Sequence, residues 1–199
     1  MAVRHLYIAR HGAADAFGEL TSAGQRQANL LGERLARLPI NTVWHSPLPR
    51  AADTALTIAR HVASAPLIKA QELIDHVPWV PPNDEMPSTM RGFFDGFGRD
   101  DAAEGHRIAT TLIEKFAAAP AAGDDTHEVL ITHDYPIAWL LRHALETPPI
   151  RWFGISSANA ALTVIEFRPE HAATLVMFND MSHLPVELRW TGFPPRIRP

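Results

Sequence analysis

Short apolar runs alternate along the chain with segments whose apolar residues recur every three or four positions. The apolar runs are bounded by turn residues and predict five strands, at residues 3–9, 42–45, 128–132, 161–167 and 174–178. The segments between them predict four helices, at residues 21–38, 49–63, 101–119 and 136–145. Strands and helices thus alternate before the chain finishes with a pair of neighbouring strands.

This alternation predicts an α/β fold, because helices that connect parallel strands cover the faces of their sheet. We expect a three-layer α/β/α sandwich with a mostly parallel central sheet and one antiparallel strand late in the chain. The chain has 199 residues and 46% hydrophobic residues, which is enough for one full core. We therefore expect a single domain over residues 1–199.

One long segment, residues 76–100, has no regular period. It contains proline, glycine and aromatic residues and is longer than most connections in compact domains. Long connections of this kind often cover or line binding sites. We interpret residues 76–100 as a lid or a binding loop in which substrate specificity would lie.

Composition excludes several classes of function. The chain has no cysteine, so neither a disulfide nor a thiolate nucleophile is possible. The net charge is −4, so we expect no nucleic-acid and no membrane partner. We find no signal peptide and no apolar run of about 18 residues, and we predict a cytoplasmic protein. The 11 histidines do not have the spacing of a metal motif, so we predict neither a metal nor a cofactor.

Polar side chains follow three of the predicted strands at the points where those strands end. Arg10 and His11 end the first strand, Arg50 lies in the first turn of the helix after the second, and His133 follows the strand at 128–132. Gly12 lets the backbone turn sharply or approach a ligand closely. Because the carboxyl ends of parallel strands meet at one edge of a sheet, we expect these residues to converge there.

Two arginines and two histidines suit the chemistry of a phosphate ester. A guanidinium group can donate two parallel hydrogen bonds to the oxygens of a phosphate, and a neutral imidazole can attack phosphorus. His11 is the candidate nucleophile, and Arg10, Arg50 and His133 would neutralise the phosphate oxygens. A carboxylic acid is also needed, first to protonate the leaving oxygen and then to activate water.

Five segments together resemble the histidine phosphatase superfamily, the phosphoglycerate mutase-like clan. They are "ARHG" at 9–12, "LTSAGQRQA" at 20–28, "SPLPRAADTA" at 46–55, "ITH" at 131–133 and "NDMSHL" at 179–184. The resemblance implies a phosphoglycerate mutase-like fold and a metal-independent phosphatase that forms a phosphohistidine on His11. It also implies that Arg10, Arg50 and His133 bind the phosphate of a phosphorylated small molecule or a phosphoprotein.

The general acid is also suggested by the resemblance. Members of the clan often carry it as the glutamate of a Leu-x-Glu segment, and this chain has Leu73-Ile74-Asp75 instead. We favour Asp75, whose side chain is one methylene shorter, and Glu72 is the alternative.

Three further positions bear on the resemblance. Asp134 stands where many relatives have glycine, and we expect its side chain to cap the helix that follows. Asn159 resembles a strand-preceding asparagine in the branch that includes protein serine/threonine phosphatases. His183 is assigned a supporting or packing position rather than a catalytic one.

Two alternatives to the phosphatase stay open. A phosphoglycerate-type mutase is disfavoured, because the hydroxyl residue and Trp-Asn expected after the histidine are replaced by residues that include Ala13 and Ala14. The other alternative is a phosphate-binding scaffold of the same fold that has lost turnover.

Overall fold

The computed structural model describes residues 2–82 and 84–198 and contains a mixed six-stranded sheet. Its strands are β1 (Arg4–Arg10), β2 (Thr42–His45), β3 (Leu67–Lys69), β4 (Thr126–Thr132), β5 (Leu162–Phe167) and β6 (Thr174–Asp180). Their order across the sheet is β3-β2-β4-β1-β5-β6. β1, β2, β3 and β4 pair in parallel, and β5 runs antiparallel to both of its neighbours. The predicted sheet, mostly parallel with one antiparallel strand, is confirmed.

The α-helices are α1 (Ser22–Leu35), α2 (Pro49–Ala59), α3 (Arg99–Phe116) and α4 (Asp134–Ala144). Single 3-10 turns lie at Gln71–Leu73, Arg91–Phe93, Pro149–Trp152, Val186–Leu188 and Pro195–Ile197. Thr21 caps α1, since its hydroxyl accepts from the backbone N–H of Gly24 at 3.1 Å. In the described part of the chain, no helix is long and apolar enough to span a bilayer.

The helices cover the two faces of the sheet, as the alternating side chains of β1 illustrate. Leu6 and Ile8 face the core under α3 and α4, whereas Tyr7 and Ala9 face the core under α1 and α2. These core residues of β1 are buried. The three-layer α/β/α sandwich predicted from the sequence is confirmed.

Two details differ from the prediction. β3 was not predicted, because it has only three residues, lies at the edge of the sheet and is largely exposed. The helices predicted at 21–38, 49–63 and 101–119 end earlier, at Leu35, Ala59 and Phe116.

The segment at 76–100 packs, through aromatic residues, against the face of the sheet that α3 and α4 cover. Phe94 is buried, and its ring lies 6.5 Å from that of Trp152. Asn83, which belongs to the segment interpreted as a lid or a binding loop, lies outside the described residues.

Candidate active site

The parallel pairing of β1 and β4 brings two histidines together at the carboxyl edge of the sheet. Arg10 pairs with Thr132, so His11 and His133 both follow the last paired residues of their strands. The backbone N–H of His11 still donates to the carbonyl of Thr132 at 3.0 Å. The two imidazole centroids are 5.1 Å apart. The predicted convergence of His11 and His133 is therefore present in the fold.

Gly12 allows the turn after His11 to lie directly against α1. A Cβ atom at Gly12 would be 2.6 Å from the carbonyl oxygen of Gly24, which is closer than such atoms approach one another. The Gly12 N–H donates to the Thr54 hydroxyl of α2 at 3.0 Å. The turn is thus held between two helices, and the position of the His11 ring follows from it.

The His11 ring is held in one tautomer. Its Nδ1 lies 2.7 Å from the carbonyl oxygen of Gly12 and must donate, since that oxygen only accepts. Its Nε2 therefore carries the lone pair, and it accepts from Nε of Arg50 at 3.0 Å. Burial, with smaller contributions from the charges of Arg10 and Arg50 and against the opposing Gly12 hydrogen bond, lowers the pKa of His11 to about 3. The ring is neutral at neutral pH, as a nitrogen nucleophile must be.

His133 is more deeply buried, with 1% of its surface exposed. Its Nε2 lies 2.8 Å from the hydroxyl of Ser46, which follows β2. Among the residues that the structure describes, none forms a hydrogen bond with its buried Nδ1, and Asp75 Oδ2 lies 3.9 Å away. Burial, followed by Coulombic interactions with His11, Arg50 and Arg10, lowers the pKa of His133 to about 2. His133 is therefore a neutral hydrogen-bonding group in the resting protein.

The two arginines approach His11 from different elements. Arg50, in the first turn of α2, donates from Nε to His11 and from Nη2 to Asp75 Oδ2 at 3.2 Å. Arg10 donates from Nη1 to the carbonyl of Ser157 at 2.9 Å. Its buried Nε has no hydrogen-bond partner in residues 2–82 and 84–198. Arg10 and Arg50 supply two guanidinium groups and a helix N-terminus to the same cavity, an arrangement that binds anions.

The structure separates the two candidate acids. Asp75 lies beside Arg50 and near His133, whereas Glu72 forms an ion pair with Lys115 of α3. Burial raises the pKa of Asp75, and this effect outweighs the opposing charges of Arg50 and Arg10. Asp75 is thus the carboxyl group that shares the site with His11, and Glu72 lies outside it.

The expectation that Asp134 caps its own helix is wrong. His133 is the N-cap residue of α4, and Asp134 is the first residue of the helix. Its Oδ1 instead accepts from the backbone N–H and the hydroxyl of Ser157, at 2.6 and 3.0 Å. Asp134 thereby fixes the segment whose carbonyl holds Arg10, with its own Oδ2 3.9 Å from Arg10 Nη1.

Asn159 lies at the site, whereas His183 lies farther from it. Asn159 donates from Nδ2 to the carbonyl oxygen of His11 at 3.0 Å. His183 contacts Arg34 through Nδ1 and Ala160 O through Nε2, at 3.1 and 3.0 Å. Asn159 therefore holds the backbone at His11, whereas His183 belongs to the packing between β5, β6 and α1.

Several groups that complete the site were not predicted from the sequence. Ser46 lies within a quoted motif, and its position one residue after β2 could have indicated it. Gly192 could not have been found, because it reaches the site only through the path of the C-terminal segment. A Cβ at Gly192 would be 2.9 Å from Arg10 Nη1, and its φ is +89°. The C-terminal segment thus closes over Arg10.

These side chains face a cavity of about 540 Å³. Arg10, His11, Arg50, Asp75 and Asn159 line it, with the segment from Ala13 to Gly18 on one side and Thr191 and Gly192 on another. In that segment the Phe17 side chain is 91% exposed. Within the described residues, no group of three or more histidines and carboxylates is placed to hold a metal ion.

Comparison with known proteins identifies relatives along nearly the whole chain. The serine/threonine-protein phosphatase Pgam5, mitochondrial, of Caenorhabditis elegans is 30% identical over 190 residues, which are 92% of this chain and 65% of that protein. The corresponding Xenopus laevis protein is 29% identical over 196 residues, which are 94% of this chain and 68% of that protein. The chain thus spans about two thirds of the length of these curated relatives.

These relatives contradict the cytoplasmic location predicted from the sequence, because the names of both contain "mitochondrial". The prediction was wrong because the features it used, a lack of a secretory signal, of a long apolar run and of cysteine, do not distinguish one compartment within a cell from another.

One solved structure shares the fold of this chain, and a family profile identifies its family. The crystal structure of phosphoglycerate mutase from Plasmodium falciparum superposes with a TM-score of 0.64 at 21% identity, covering 94% of this chain and 96% of that one. This likeness shows the fold. The profile of the histidine phosphatase superfamily (branch 1) matches residues 6–181. With the motifs and the relatives, this match establishes that the chain is a member of the histidine phosphatase superfamily.

Proposed function

We propose that this protein hydrolyses phosphate monoesters through a phosphohistidine formed on Nε2 of His11. The observation that carries the proposal is the state of the His11 ring, which is neutral, fixed through Nδ1 and directed with its lone pair towards Arg50. The names of the curated relatives support hydrolysis of phosphoserine or phosphothreonine, and phosphorylated proteins are the proposed substrates.

In the first step, the lone pair of His11 Nε2 attacks phosphorus as the bond between phosphorus and the ester oxygen breaks. Arg10 and Arg50 lie where they would stabilise the negative charge on the phosphoryl oxygens in the transition state. His133 can donate from its ring to the same oxygens. Burial raises the pKa of Asp75. The protonated Asp75 gives its proton to the departing ester oxygen.

In the second step, the Asp75 carboxylate takes a proton from water as the water oxygen attacks phosphorus. The bond between phosphorus and Nε2 breaks, and the lone pair returns to His11. Inorganic phosphate leaves, and Asp75 is again protonated. The hydrogen bond from Nδ1 to Gly12 holds the ring in place through both steps.

The test is phosphate release from an aryl phosphate and from a phosphothreonine peptide in excess chelator. We expect the wild-type protein to hydrolyse both and His11→Ala to hydrolyse neither. A mutase would instead move phosphate between two positions of phosphoglycerate faster than it releases phosphate. A scaffold would bind vanadate, raising its melting temperature, with no turnover of any ester.

A further inference from the structure

A second cleft, which we call the leaving-group cleft, adjoins the catalytic cavity at Asp75. It has a volume of about 440 Å³, and Asp75 lines both spaces. Its apolar wall is formed by Val77, Phe97 and Ile108. Since Asp75 would protonate the departing oxygen, the organic group on that oxygen would extend from the catalytic cavity into this cleft.

The wall of the leaving-group cleft is fixed by direct packing of α3 against the chain after Asp75. A Cβ at Gly105 of α3 would lie 2.2 Å from the carbonyl oxygen of Val77. The helix backbone therefore contacts this segment without an intervening side chain. A cleft built in this way exists before the substrate binds, which reduces the entropy lost on binding.

The charge of the leaving-group cleft is opposite to that of the catalytic cavity. Asp101 and Glu104 line it, and no lysine or arginine does so in the described part of the chain. Arg107 lies one turn further along α3, where it pairs with Glu104 through bonds of 2.8 and 2.6 Å. Residues 84–107 carry six acidic and three basic side chains. Anion-binding groups on one side of Asp75 thus face an acidic and apolar surface on the other.

We propose that the leaving-group cleft selects phosphorylated peptide segments with basic and apolar side chains beside the phosphorylated residue. This inference rests on the proposed function, because the position of Asp75 defines the direction of the leaving group. An aliphatic stem fits against Val77, Phe97 and Ile108, and its cationic end meets Asp101 and Glu104. A small phosphorylated acid would place a carboxylate against the same two carboxylates.

The test compares two phosphothreonine peptides that differ only in the flanking residues, arginine and leucine in one and glutamate and leucine in the other. We expect kcat/KM of the wild-type protein to be about tenfold higher for the basic peptide, since each of two exposed ion pairs changes affinity a few-fold. Asp101→Asn with Glu104→Gln should reduce the preference to about twofold or less. The amide introduced at position 101 would keep an oxygen able to accept from the N–H of Gly98, as the Asp101 carboxylate does.

Glu114→Gln is the matched control, because Glu114 is an exposed carboxylate on the same helix away from the cleft. It should retain the wild-type preference. If the double variant is unfolded by circular dichroism, Glu104→Gln alone should reduce the preference to about threefold.

The outcomes separate the two proposals. Equal kcat/KM for both peptides, an unchanged preference in the Glu104 variants, or faster hydrolysis of 3-phosphoglycerate than of either peptide would overturn the proposed selectivity and leave the phosphatase proposal standing. A wild-type protein that hydrolyses neither the peptides nor an aryl phosphate would overturn both.

Discussion

Nε of Arg50 donates a hydrogen bond of 3.0 Å to Nε2 of His11, the nitrogen proposed to attack phosphorus. The same guanidinium group donates from Nη2 to Asp75. One side chain therefore connects the proposed nucleophile to the proposed acid. When a phosphoryl group enters, its oxygens can take over these donors, and the lone pair of His11 becomes free to react.

Replacing Arg50 should therefore reduce catalysis more than it reduces stability. We expect Arg50→Ala to lower kcat/KM by about 10²–10³-fold, the usual effect of removing a charge-stabilising donor. Arg50→Lys should recover only part of the loss. A lysine ammonium group lacks the planar set of donors with which Arg50 can contact His11, Asp75 and a bound phosphate. Steady-state kinetics with an aryl phosphate measures the effect. Arg60→Ala, at the exposed end of the same helix, should behave like the wild-type protein.

The assignment of Asp75 rather than Glu72 as the acid can be tested with isosteric amides. Asp75→Asn should lower kcat/KM by about 10²–10⁴-fold for an alkyl phosphate and by less for an aryl phosphate, whose leaving oxygen needs less protonation. Glu72→Gln should leave kcat unchanged and reduce stability by about 1 kcal/mol through its ion pair with Lys115. The opposite pattern would transfer the role to Glu72.

The pKa of Asp75 also predicts a pH profile. Burial raises this pKa, so the acid form persists to higher pH than in a solvated aspartate. Activity should fall as the pH rises through that value, and the aryl phosphate assay of Asp75→Asn should lack this decline. His11 adds no loss of activity near pH 6.5, because its pKa is lowered to about 3. A decline on the acidic side centred near pH 6.5 would contradict the neutral, buried state of the ring.

Histidines whose pKa is lowered in the folded state should make the protein less stable in acid. Burial lowers the pKa of His183 to about 4 from an ordinary value of 6.5. The unfolded chain therefore takes up a proton below pH 6.5 that the folded chain does not, and stability falls as the pH drops from 6.5 towards 4, by up to about 1.4 kcal/mol per pH unit for this group. Urea unfolding at pH 7, 6 and 5 should show a shallower pH dependence in His183→Gln. His106→Gln, at an exposed position, should keep the wild-type slope.

The close approach at Gly12 predicts a loss of both stability and activity when a methyl group is added. Gly12→Ala would place Cβ 2.6 Å from backbone of α1, which cannot move without shifting the helix. We expect about 1–3 kcal/mol lower stability and a large loss of kcat/KM, because the His11 ring bonds to the Gly12 carbonyl. Gly92→Ala has nothing within 4 Å and should change neither. Thermal unfolding and kinetics of the two variants measure this contrast.

The sequence predicts the convergence of Arg10, His11, Arg50 and His133 because each follows or adjoins a strand end, and parallel pairing brings those ends together. It does not predict what each side chain contacts. Asp134 was expected to cap its helix, but its partner Ser157 is 23 residues away and adjoins the site only through the path to β5.

The local sequence pattern also fails to predict features that depend on tertiary contacts. β3 is a strand because three residues pair with β2, and its exposed, short sequence has no strand period of its own. Gly192 is needed because Arg10 and Asn159 occupy the space of a side chain there. The choice between Asp75 and Glu72 likewise depended on which carboxylate faces Arg50.

The chemistry at His11 can be observed by mixing the protein with an aryl phosphate, whose leaving oxygen needs less protonation by Asp75, stopping the reaction within milliseconds at alkaline pH and locating the bound phosphate by mass spectrometry. We expect wild-type protein to carry one phosphate on His11, and Asp75→Asn to carry it for longer because water is no longer activated. Turnover without any phosphate on the chain, or turnover that persists in His11→Ala, would show that His11 is not the nucleophile.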